Sequence, residues 1–442
     1  MRLWLAPFLV ALTGGVAFAA DVPVMRGASL PDVIASASPG DVLLLGEGVF
    51  AGPLVIDKPL TLKGTEASVI DGQGDGTVIT ISAPDVTIEG LTVTGSGRRN
   101  EDLDAGIKLV KGADRALIAA NHLHDNLHGI DVHGAIDARV IGNDIIGGQD
   151  PRMMDRGNGI YIWNSPGTLI EGNSVRYGRD GIFSNTSRKG IYRNNIFRDL
   201  RFAIHHMYTH DSEVSGNISI GNHLGYAIMY SDRVVLKNNL SLGDRDHGVM
   251  LNFANQADIS GNLVRGGTKK CLFMYNANKD LIVNNRFEGC GIGIHYTAGS
   301  DRNVLTGNAF VGNMEQVKYV GTRFLEWSFE GAGNYWSDLA AFDLNGDGRA
   351  DGVYRPNDLM DKILWSQPQA HLLMGAPAVQ LVRWSQSNFP AILPGGVVDS
   401  FPLMTPISIP VPDDIAALEA EVAGRWAQGT YDDIDPEDLG SH

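Results

Sequence analysis

Methionine and histidine residues recur at matching positions of a repeated unit in the middle of the chain. His205, Met229 and Met250 each directly follow the Ile or Val that marks one unit. Met207 lies two residues beyond His205. Thioether sulfur and imidazole nitrogen are soft to borderline ligands, which select Cu(I) over Mg²⁺ or Ca²⁺. These residues therefore predict contact with a soft metal, and the open alternatives are a binding strip without metal and ordinary packing of methionine.

Two further methionines lie in a loop. An 8-residue insertion interrupts the repeat between Ile146 and Asn158, and it contains Met153 and Met154. Exposed methionine gains nothing from contact with water. We therefore expect this loop to contact a metal or a partner protein, or else to pack back on the repeat.

After the repeat, oxygen-bearing side chains occur at the spacing of a calcium-binding loop. Positions 1, 3, 5 and 9 of such a loop are taken by Asp343, Asn345, Asp347 and Asp351. Position 12 is Tyr354 rather than Glu, so a full EF-hand is not supported. The segment predicts a calcium site or, as the alternative, a ladder of Asx turns without metal.

The chain has two cysteines, Cys271 and Cys290. They fall at different positions of the repeat, and no CxxC pattern is present. The favoured prediction is therefore two inert, partly buried thiols, while a disulfide and a role as metal ligands stay open.

The elements that position these residues follow from the repeat itself. A Gly, Asn or Ala followed by Asn recurs from Ala120-Asn121 to Gly307-Asn308, and apart from the insertion the spacing is 22 or 23 residues. Polar and apolar residues alternate within a unit, the period of a half-buried strand. One unit cannot bury its own apolar face, so the units must stack. The prediction is an all-β fold: a right-handed parallel β-helix with an N-terminal cap and a partly helical C-terminal extension.

In such a helix the outward residues of successive coils lie about 4.8 Å apart. We expect His205, Met229 and Met250 to occupy one outward column, with Met207 beside them, so that their side chains converge on one ion. His206 is expected to point into the core. His210 and Asp211 form a candidate His–carboxylate pair of the kind that fixes a tautomer.

Composition and segment boundaries complete the prediction. The 442 residues carry a net charge of −16, which argues against nucleic acid as a partner. Residues 1–19 have the pattern of a cleavable signal peptide, which predicts export to the periplasm. The expected segments that follow are an N-terminal cap over 20–40, the β-helix over 41–310, a C-terminal cap or partner-docking region over 311–410, and a mostly solvated acidic tail over 411–442.

The segment Gly333-Asn334-Tyr335-Trp336-Ser337-Asp338, together with the repeats and the export signal, resembles the NosD family of periplasmic β-helix proteins. The resemblance covers nearly the whole chain. It implies a non-enzymatic accessory protein in the assembly of the copper–sulfur centre of nitrous oxide reductase, with Cu(I) as transient cargo. The implied partners are the membrane subunit of an ABC-type transporter, a copper-donating periplasmic lipoprotein and the reductase apoprotein. The resemblance also implies peripheral association with the inner membrane through the transporter.

A polysaccharide-active enzyme is the alternative, because lyases, hydrolases and uronate epimerases share such repeats. These enzymes need acid and base groups around one sugar ring. Asp131 is the one carboxylate in the outward columns, with His205 and Tyr208 nearby, and this scarcity disfavours an enzyme. A third class is a binding module without metal, in which Tyr161, Trp163 and Phe183 stack on a sugar or contact a protein.

Overall fold

The computed structural model describes residues 19–267, 269–356, 369, 376–388 and 396–427. The predicted signal peptide therefore lies outside the described residues, except for Ala19. In the described part, the chain winds into a parallel β-solenoid whose coils each add one strand to three long sheets. The predicted fold class, an all-β parallel helix, is confirmed.

We name the three sheets A, B and C in the order in which a coil visits them. Sheet A contains β1 Asp21–Val24, β2 Val42–Leu45, β5 Thr61–Lys63, β8 Thr87–Glu89, β11 Leu117–Ala119, β14 Arg139–Ile141, β17 Leu169–Glu171, β20 Ile191–Arg193, β23 Glu213–Ser215, β26 Val235–Lys237, β29 Asp258–Ser260, β32 Leu281–Val283 and β35 Val304–Thr306. Sheet B contains β3 Gly48–Ala51, β6 Ser68–Asp71, β9 Thr92–Thr94, β12 His122–His124, β15 Asp144–Ile146, β18 Ser174–Arg176, β21 Ile196–Arg198, β24 Ile218–Ile220, β27 Leu240–Leu242, β30 Leu263–Arg265, β33 Arg286–Glu288, β36 Ala309–Val311 and β39 Tyr335–Trp336. Sheet C contains β4 Leu54–Ile56, β7 Ile79–Ile81, β10 Ala105–Leu109, β13 His128–His133, β16 Ile160–Trp163, β19 Asp180–Asn185, β22 Phe202–Met207, β25 Leu224–Met229, β28 His247–Asn252, β31 Lys270–Tyr275, β34 Ile292–Thr297 and β37 Glu315–Val320.

The repeated Asn forms a ladder inside the corner between sheets A and B. The amide oxygen of Asn143 accepts bonds from both the backbone N–H and the side-chain amide of Asn121, each at 3.0 Å. The same pattern repeats on every coil up to Asn334, whose oxygen accepts from Asn308. Because these polar groups are buried, each needs such a partner, and the ladder locks the coils in register.

Both ends of the solenoid are closed by other elements. Helix α1 (Leu30–Ser36) buries Leu30 and Ile34 in the core at the start of the solenoid. Strand β1 already pairs with β2, however, and the last strands lie beyond Phe310. The predicted boundaries of 41 and 310 are therefore too narrow. At the far end the Trp336 ring stacks between Phe310 at 4.4 Å and Tyr354 at 4.5 Å.

Two helices and a short strand pair follow the solenoid. Helix α2 (Pro377–Asn388) begins at Pro377, and β38 (Phe324–Glu326) pairs with β40 (Gly396–Val398). Within the predicted C-terminal cap or partner-docking region, residues 357–368 and 370–375 lie outside the described residues. In the described part of the chain, no helix is both long and apolar enough to span a bilayer.

The acidic tail is only partly as expected. Helix α3 (Asp413–Ala427) packs on sheet B instead of standing in solvent. Ile415 and Val422 are buried against the leucines of β27, and Arg425 pairs with Asp199 at 3.3 Å. The acidic charge of the tail favours solvent, but Ile415, Leu418 and Val422 form an apolar stripe that attaches the helix to sheet B. Residues 428–442 lie outside the described residues.

Candidate functional site

The outward face of sheet C carries the Met and His residues that the sequence singled out, but in a different register. The structure pairs His205 with Ala227, and Ala227 with Met250. Met229 lies in the next column, paired with Met207 and Asn252. The prediction that His205, Met229 and Met250 share one column is therefore wrong.

The cause of the error is an inward tyrosine. The pair Gly225-Tyr226, not Ala227-Ile228, marks this coil, since Tyr226 pairs with the core residue Ile204. Its hydroxyl lies 2.9 Å from the backbone oxygens of Asn217 and Leu240, which satisfies the phenol inside the core. With these partners, a tyrosine can occupy an inward position at which the repeat predicts an aliphatic residue.

The corrected register still gathers the four residues on three successive coils. In one column, Ala227 lies between His205 and Met250. In the next column, Met229 lies on the same strand as Ala227 and pairs with Met207 on the strand of His205. The methionines pack together with Phe202 and Leu224 in a separate apolar group. We call His205, Met207, Met229 and Met250 the methionine cluster. Neighbouring coils lie about 4.8 Å apart, so His205 and Met250 face each other across about 9.6 Å over a position that holds only a methyl group.

Met229 and His205 are buried although the cluster lies on the outward face, and Met207 and Met250 are half-buried. Met229 is 1% exposed, His205 is 5% exposed, and Ala227 is fully buried. An outward strand face normally presents polar side chains to water, so burial of soft ligands here is unusual. Around Met229 and His205, where water is excluded, thioether and imidazole rather than water would be the neighbours of a Cu(I) ion.

Asp180 and Arg201 hold the His205 ring from one side. The His205 Nδ1 lies 3.1 Å from Asp180 Oδ2, and Arg201 donates to both carboxylate oxygens at 2.8 and 2.7 Å. The ring also stacks on Phe183 at 4.7 Å. A carboxylate can only accept, so Nδ1 carries the proton and Nε2 presents its lone pair. Within the described structure, Nε2 is buried without a hydrogen-bond partner.

Burial keeps the imidazole of His205 neutral, while Arg201 and His205 keep Asp180 ionised. Burial raises the pKa of Asp180, but Arg201 and His205 outweigh it and hold that pKa well below its ordinary value. Burial lowers the pKa of His205, and the bond to Asp180 pulls it the other way without cancelling the effect. Metal-binding histidines commonly have this arrangement, in which one ring nitrogen donates to a carboxylate and the other is free to bind the metal.

Sequence analysis does not identify Asp180 and Arg201 as part of the site, and the predicted pair of His210 and Asp211 does not form. Asp211 pairs with Arg233 instead of with His210, whose Nδ1 accepts from the backbone of Asp232. His206 points inward as predicted and contacts the Tyr192 ring edge at 4.8 Å. Burial lowers the pKa of His206 to about 3, so it stays neutral in the core.

The insertion loop does not join the methionine cluster. Met153 and Met154 lie in a single turn, Met153–Asp155, that leads into β16, two strands before β22 in sheet C. Met153 is buried, and Met154 is 46% exposed. The two residues therefore form a separate feature, and their predicted role in metal or partner contact stays a prediction.

The Asp-rich loop takes the form of Asx turns. Asp343 accepts backbone N–H bonds from Gly346, Asp347 and Gly348, and Asp351 accepts from Leu344. Among the residues that the structure describes, no group of three or more His, Cys, Asp or Glu side chains is placed to hold a metal ion. The loop thus has the geometry of the metal-free alternative, and calcium at Asp343, Asn345, Asp347 and Asp351 stays a prediction.

The two cysteines form a disulfide, with their Cα atoms 5.8 Å apart. The prediction of two free thiols is wrong because Cys271 faces inward on β31 while Cys290 lies at the corner before the adjacent strand β34, which brings the pair together. In this form neither sulfur is a copper ligand. Disulfides persist in oxidising compartments, so this bond agrees with an exported protein.

The structure is a parallel β-solenoid with an imidazole–thioether cluster on the outward face of one sheet. Residues 147–341 match the family described as "Periplasmic copper-binding protein (NosD)". Two relatives named "Probable ABC transporter binding protein NosD" are 39% identical in Stutzerimonas stutzeri and 37% identical in Pseudomonas aeruginosa. Both alignments cover 81% of this chain, and they cover 86% and 87% of the relatives. The chain belongs to the NosD family, which is periplasmic.

Solved structures share the fold at low identity. The hyperthermoactive exopolygalacturonase of Thermotoga maritima is 12% identical, with a TM-score of 0.51 over 66% of this chain and 87% of the enzyme. At this identity the likeness concerns the solenoid alone.

Proposed function

We propose that this protein is an accessory protein for the copper–sulfur centre of nitrous oxide reductase and that it holds Cu(I) as cargo at the methionine cluster. The observation that carries the cargo site is the buried, unpartnered Nε2 of His205, fixed by Asp180 and bordered by the methionines. Membership of a family described as copper-binding supports the choice of metal. The reductase as the destination rests on the family resemblance.

Each residue of the cluster has a distinct task in this proposal. His205 supplies an imidazole nitrogen, and Met229 and Met250 supply thioether sulfur from either side of Ala227. Met207 supplies a further thioether next to Met229. Thioether and imidazole ligands select Cu(I) over hard cations such as Mg²⁺ and Ca²⁺. We place Met153 and Met154 outside this site, as a second contact for metal or for a partner.

The proposed partners follow the family. The relatives' names support contact with an ABC-type transporter, and we propose the region 311–410 for that contact. A copper-donating periplasmic lipoprotein and the reductase apoprotein are the proposed source and destination of the metal. After cleavage of residues 1–19 the protein would lie in the periplasm, held at the inner membrane through the transporter.

Binding is a better proposal than catalysis for the outward face of sheet C. The carboxylate of Asp131 is buried and lies 3.2 Å from Lys108, and that of Asp180 is tied to Arg201. Both acids are therefore charge-neutralised, whereas sugar-cleaving sites need an acid and a base that can exchange protons. Cleavage of a uronan by the purified protein would contradict this assignment.

The test of the cargo site is Cu(I) titration against a chromogenic chelator under anaerobic conditions. The wild-type chain should bind Cu(I) with submicromolar affinity, and the double variant Met229→Ala, Met250→Ala should bind it more weakly. Met314→Ala is the matched control, because Met314 is 88% exposed and lies away from the cluster. Equal affinities for the wild type and the double variant would remove the cluster as the site.

A further inference from the structure

A row of exposed aromatic rings runs along the corner that follows sheet C. Tyr208, Tyr230 and Phe253 lie at the same corner position on three successive coils, and Tyr275 adjoins Phe253 from the next coil. We call these four residues the aromatic ridge. Between 38% and 49% of each side chain is exposed. The first three rings directly follow Met207, Met229 and Asn252, so the ridge borders the methionine cluster.

The backbone at this corner does not favour aromatic residues. Tyr208, Tyr230 and Phe253 have φ values of 55°, 49° and 50°, in the left-handed region that is unfavourable for bulky side chains. Asn164, Thr186 and Asn276 hold the same corner position on other coils, at φ 48°, 51° and 49°. Asn suits this conformation, so three successive aromatic residues impose a strain that needs another reason. Strain of this kind clusters at ligand-contacting sites.

The stacking of the rings indicates what kind of surface they present. Tyr208 and Tyr230 stack at 5.2 Å, and Tyr230 and Phe253 stack at 5.2 Å with planes only 8° apart. The rings therefore cover one another's faces and expose edges and hydroxyl groups. Stacking on a sugar needs a free aromatic face, whereas half-exposed tyrosine edges are frequent at protein–protein contacts. The geometry favours a protein over a glycan as the occupant.

A basic column lies three residues further along the same corner. Its exposed members are Lys189, Arg233, Lys279 and Arg302. Asp211, the acidic residue of the column, is paired with Arg233. A polar groove of about 410 Å³ beside the ridge is lined by three cations, Arg233, Lys279 and Arg302, and one carboxylate, that of Asp232. Arg302 also lies 4.0 Å from Asp301. On a chain of net charge −16, this local excess of cations selects a partner with carboxylates at the rim of its contact surface.

We propose that the aromatic ridge is the docking site of a partner protein whose apolar surface is rimmed by carboxylates and which exchanges Cu(I) with the methionine cluster. The docking claim stands on the ridge and the basic column, and the exchange of Cu(I) rests on the function proposed above. A partner seated on the ridge would lie one residue away from Met207 and Met229, which places its own metal site next to the cluster.

The test replaces the three strained rings in the full chain with the residue that their corner favours. The variant is Tyr208→Asn, Tyr230→Asn, Phe253→Asn, and the control is Phe342→Asn, because Phe342 is 76% exposed on a different loop. The probe is the soluble domain of the copper-donating lipoprotein, with and without Cu(I). Calorimetry should show binding to the copper-free domain weakened by about tenfold or more, the loss expected when aromatic anchors are removed. Stopped-flow transfer of Cu(I) should slow by a similar factor, and the control should match the wild type.

Other outcomes separate the two proposals. The triple variant should keep the Cu(I) affinity of the wild type in the chelator assay and unfold at the same or a higher temperature. A marked drop in its unfolding temperature would mean that the ridge serves the fold, which overturns the docking proposal. Equal binding of the lipoprotein domain by the variant and the wild type would also overturn the docking proposal, and so would absence of binding by both. A third contrary result is that the wild type binds vesicles of phosphatidylethanolamine and phosphatidylglycerol and the variant does not. A wild type that binds the copper-free domain but no Cu(I) would contradict the proposed function and leave the docking site standing.

Discussion

Replacement of Asp180 with Asn tests how far the positioning of His205 contributes to Cu(I) binding. Three donors now meet the two oxygens of Asp180: two from Arg201 and one from His205. An asparagine offers one oxygen and an NH₂ group, so at least one of these donors faces another donor. The His205 ring would then lose the bond that fixes its tautomer, while every proposed metal ligand is still present.

The expected magnitudes follow from burial and from the type of contact. Loss of a carboxylate behind a metal-binding histidine typically lowers metal affinity by about 10- to 100-fold, and we expect a loss in this range. Arg201 is 5% exposed, so removal of its counter-ion leaves a buried charge unpaired, which costs on the order of 3–5 kcal/mol of folding free energy. Affinity is measured by chelator competition, and stability by urea unfolding.

Two further variants separate positioning from damage to the fold. In the double variant Asp180→Asn, Arg201→Met the unpaired charge is gone, so stability should recover while Cu(I) affinity stays low. Asp246→Asn is the matched control, because Asp246 also pairs with a histidine, His247, at 2.7 Å, but outside the cluster. Two results would contradict a positioning role for Asp180. One is wild-type Cu(I) affinity in Asp180→Asn, and the other is recovery of affinity together with stability in the double variant.

Three other predictions concern the space at the cluster, a buried acid and the disulfide. Ala227→Leu should lower Cu(I) affinity by about tenfold or more in the chelator assay, because an ion would have to compete with the larger side chain for the space between His205 and Met250, and overpacking a buried position costs ~1–3 kcal/mol; unchanged affinity would show that no ion sits over Ala227. Burial raises the pKa of Asp244 to about 7, so the folded protein keeps a proton that the unfolded chain releases above about pH 4, and stability falls as pH rises from there towards 7. Asp244→Asn should flatten that fall, which has a slope of at most about 1.4 kcal/mol per pH unit, and an unaltered slope in thermal unfolding at several pH values would place the proton elsewhere. Cys271→Ala, Cys290→Ala removes a link between residues 19 apart and should cost roughly 3 kcal/mol in urea unfolding without altering Cu(I) affinity; a loss of affinity would tie the disulfide to the site.

The fold could be predicted because the repeat is written directly in the sequence. The Asn at each corner and the alternation of each strand recur at 22 or 23 residues, and stacking is the one way for such units to bury their apolar faces. The register within one coil was harder to predict, since Tyr226 takes a core position in which its hydroxyl lies 2.9 Å from the backbone oxygens of Asn217 and Leu240 on two coils. That shift moved Met229 out of the column of His205.

The positioning of His205 could not be predicted from local sequence. Asp180 lies 25 residues before His205 and meets it only because two strands pair in sheet C. The disulfide was missed for a similar reason, since its cysteines take different positions on adjacent coils. The aromatic ridge, by contrast, left a readable signal: Tyr208, Tyr230 and Phe253 recur at spacings of 22 and 23 residues.

X-ray absorption at the copper K edge of the Cu(I)-loaded, full-length protein tests the central claim most directly. We expect a mixed shell of sulfur and imidazole nitrogen around Cu(I) in the wild type. Sulfur scattering should weaken in the double variant Met229→Ala, Met250→Ala, and imidazole scattering should be lost in His205→Phe. A shell of nitrogen and oxygen alone, or one that is the same in all three proteins, would contradict the central claim.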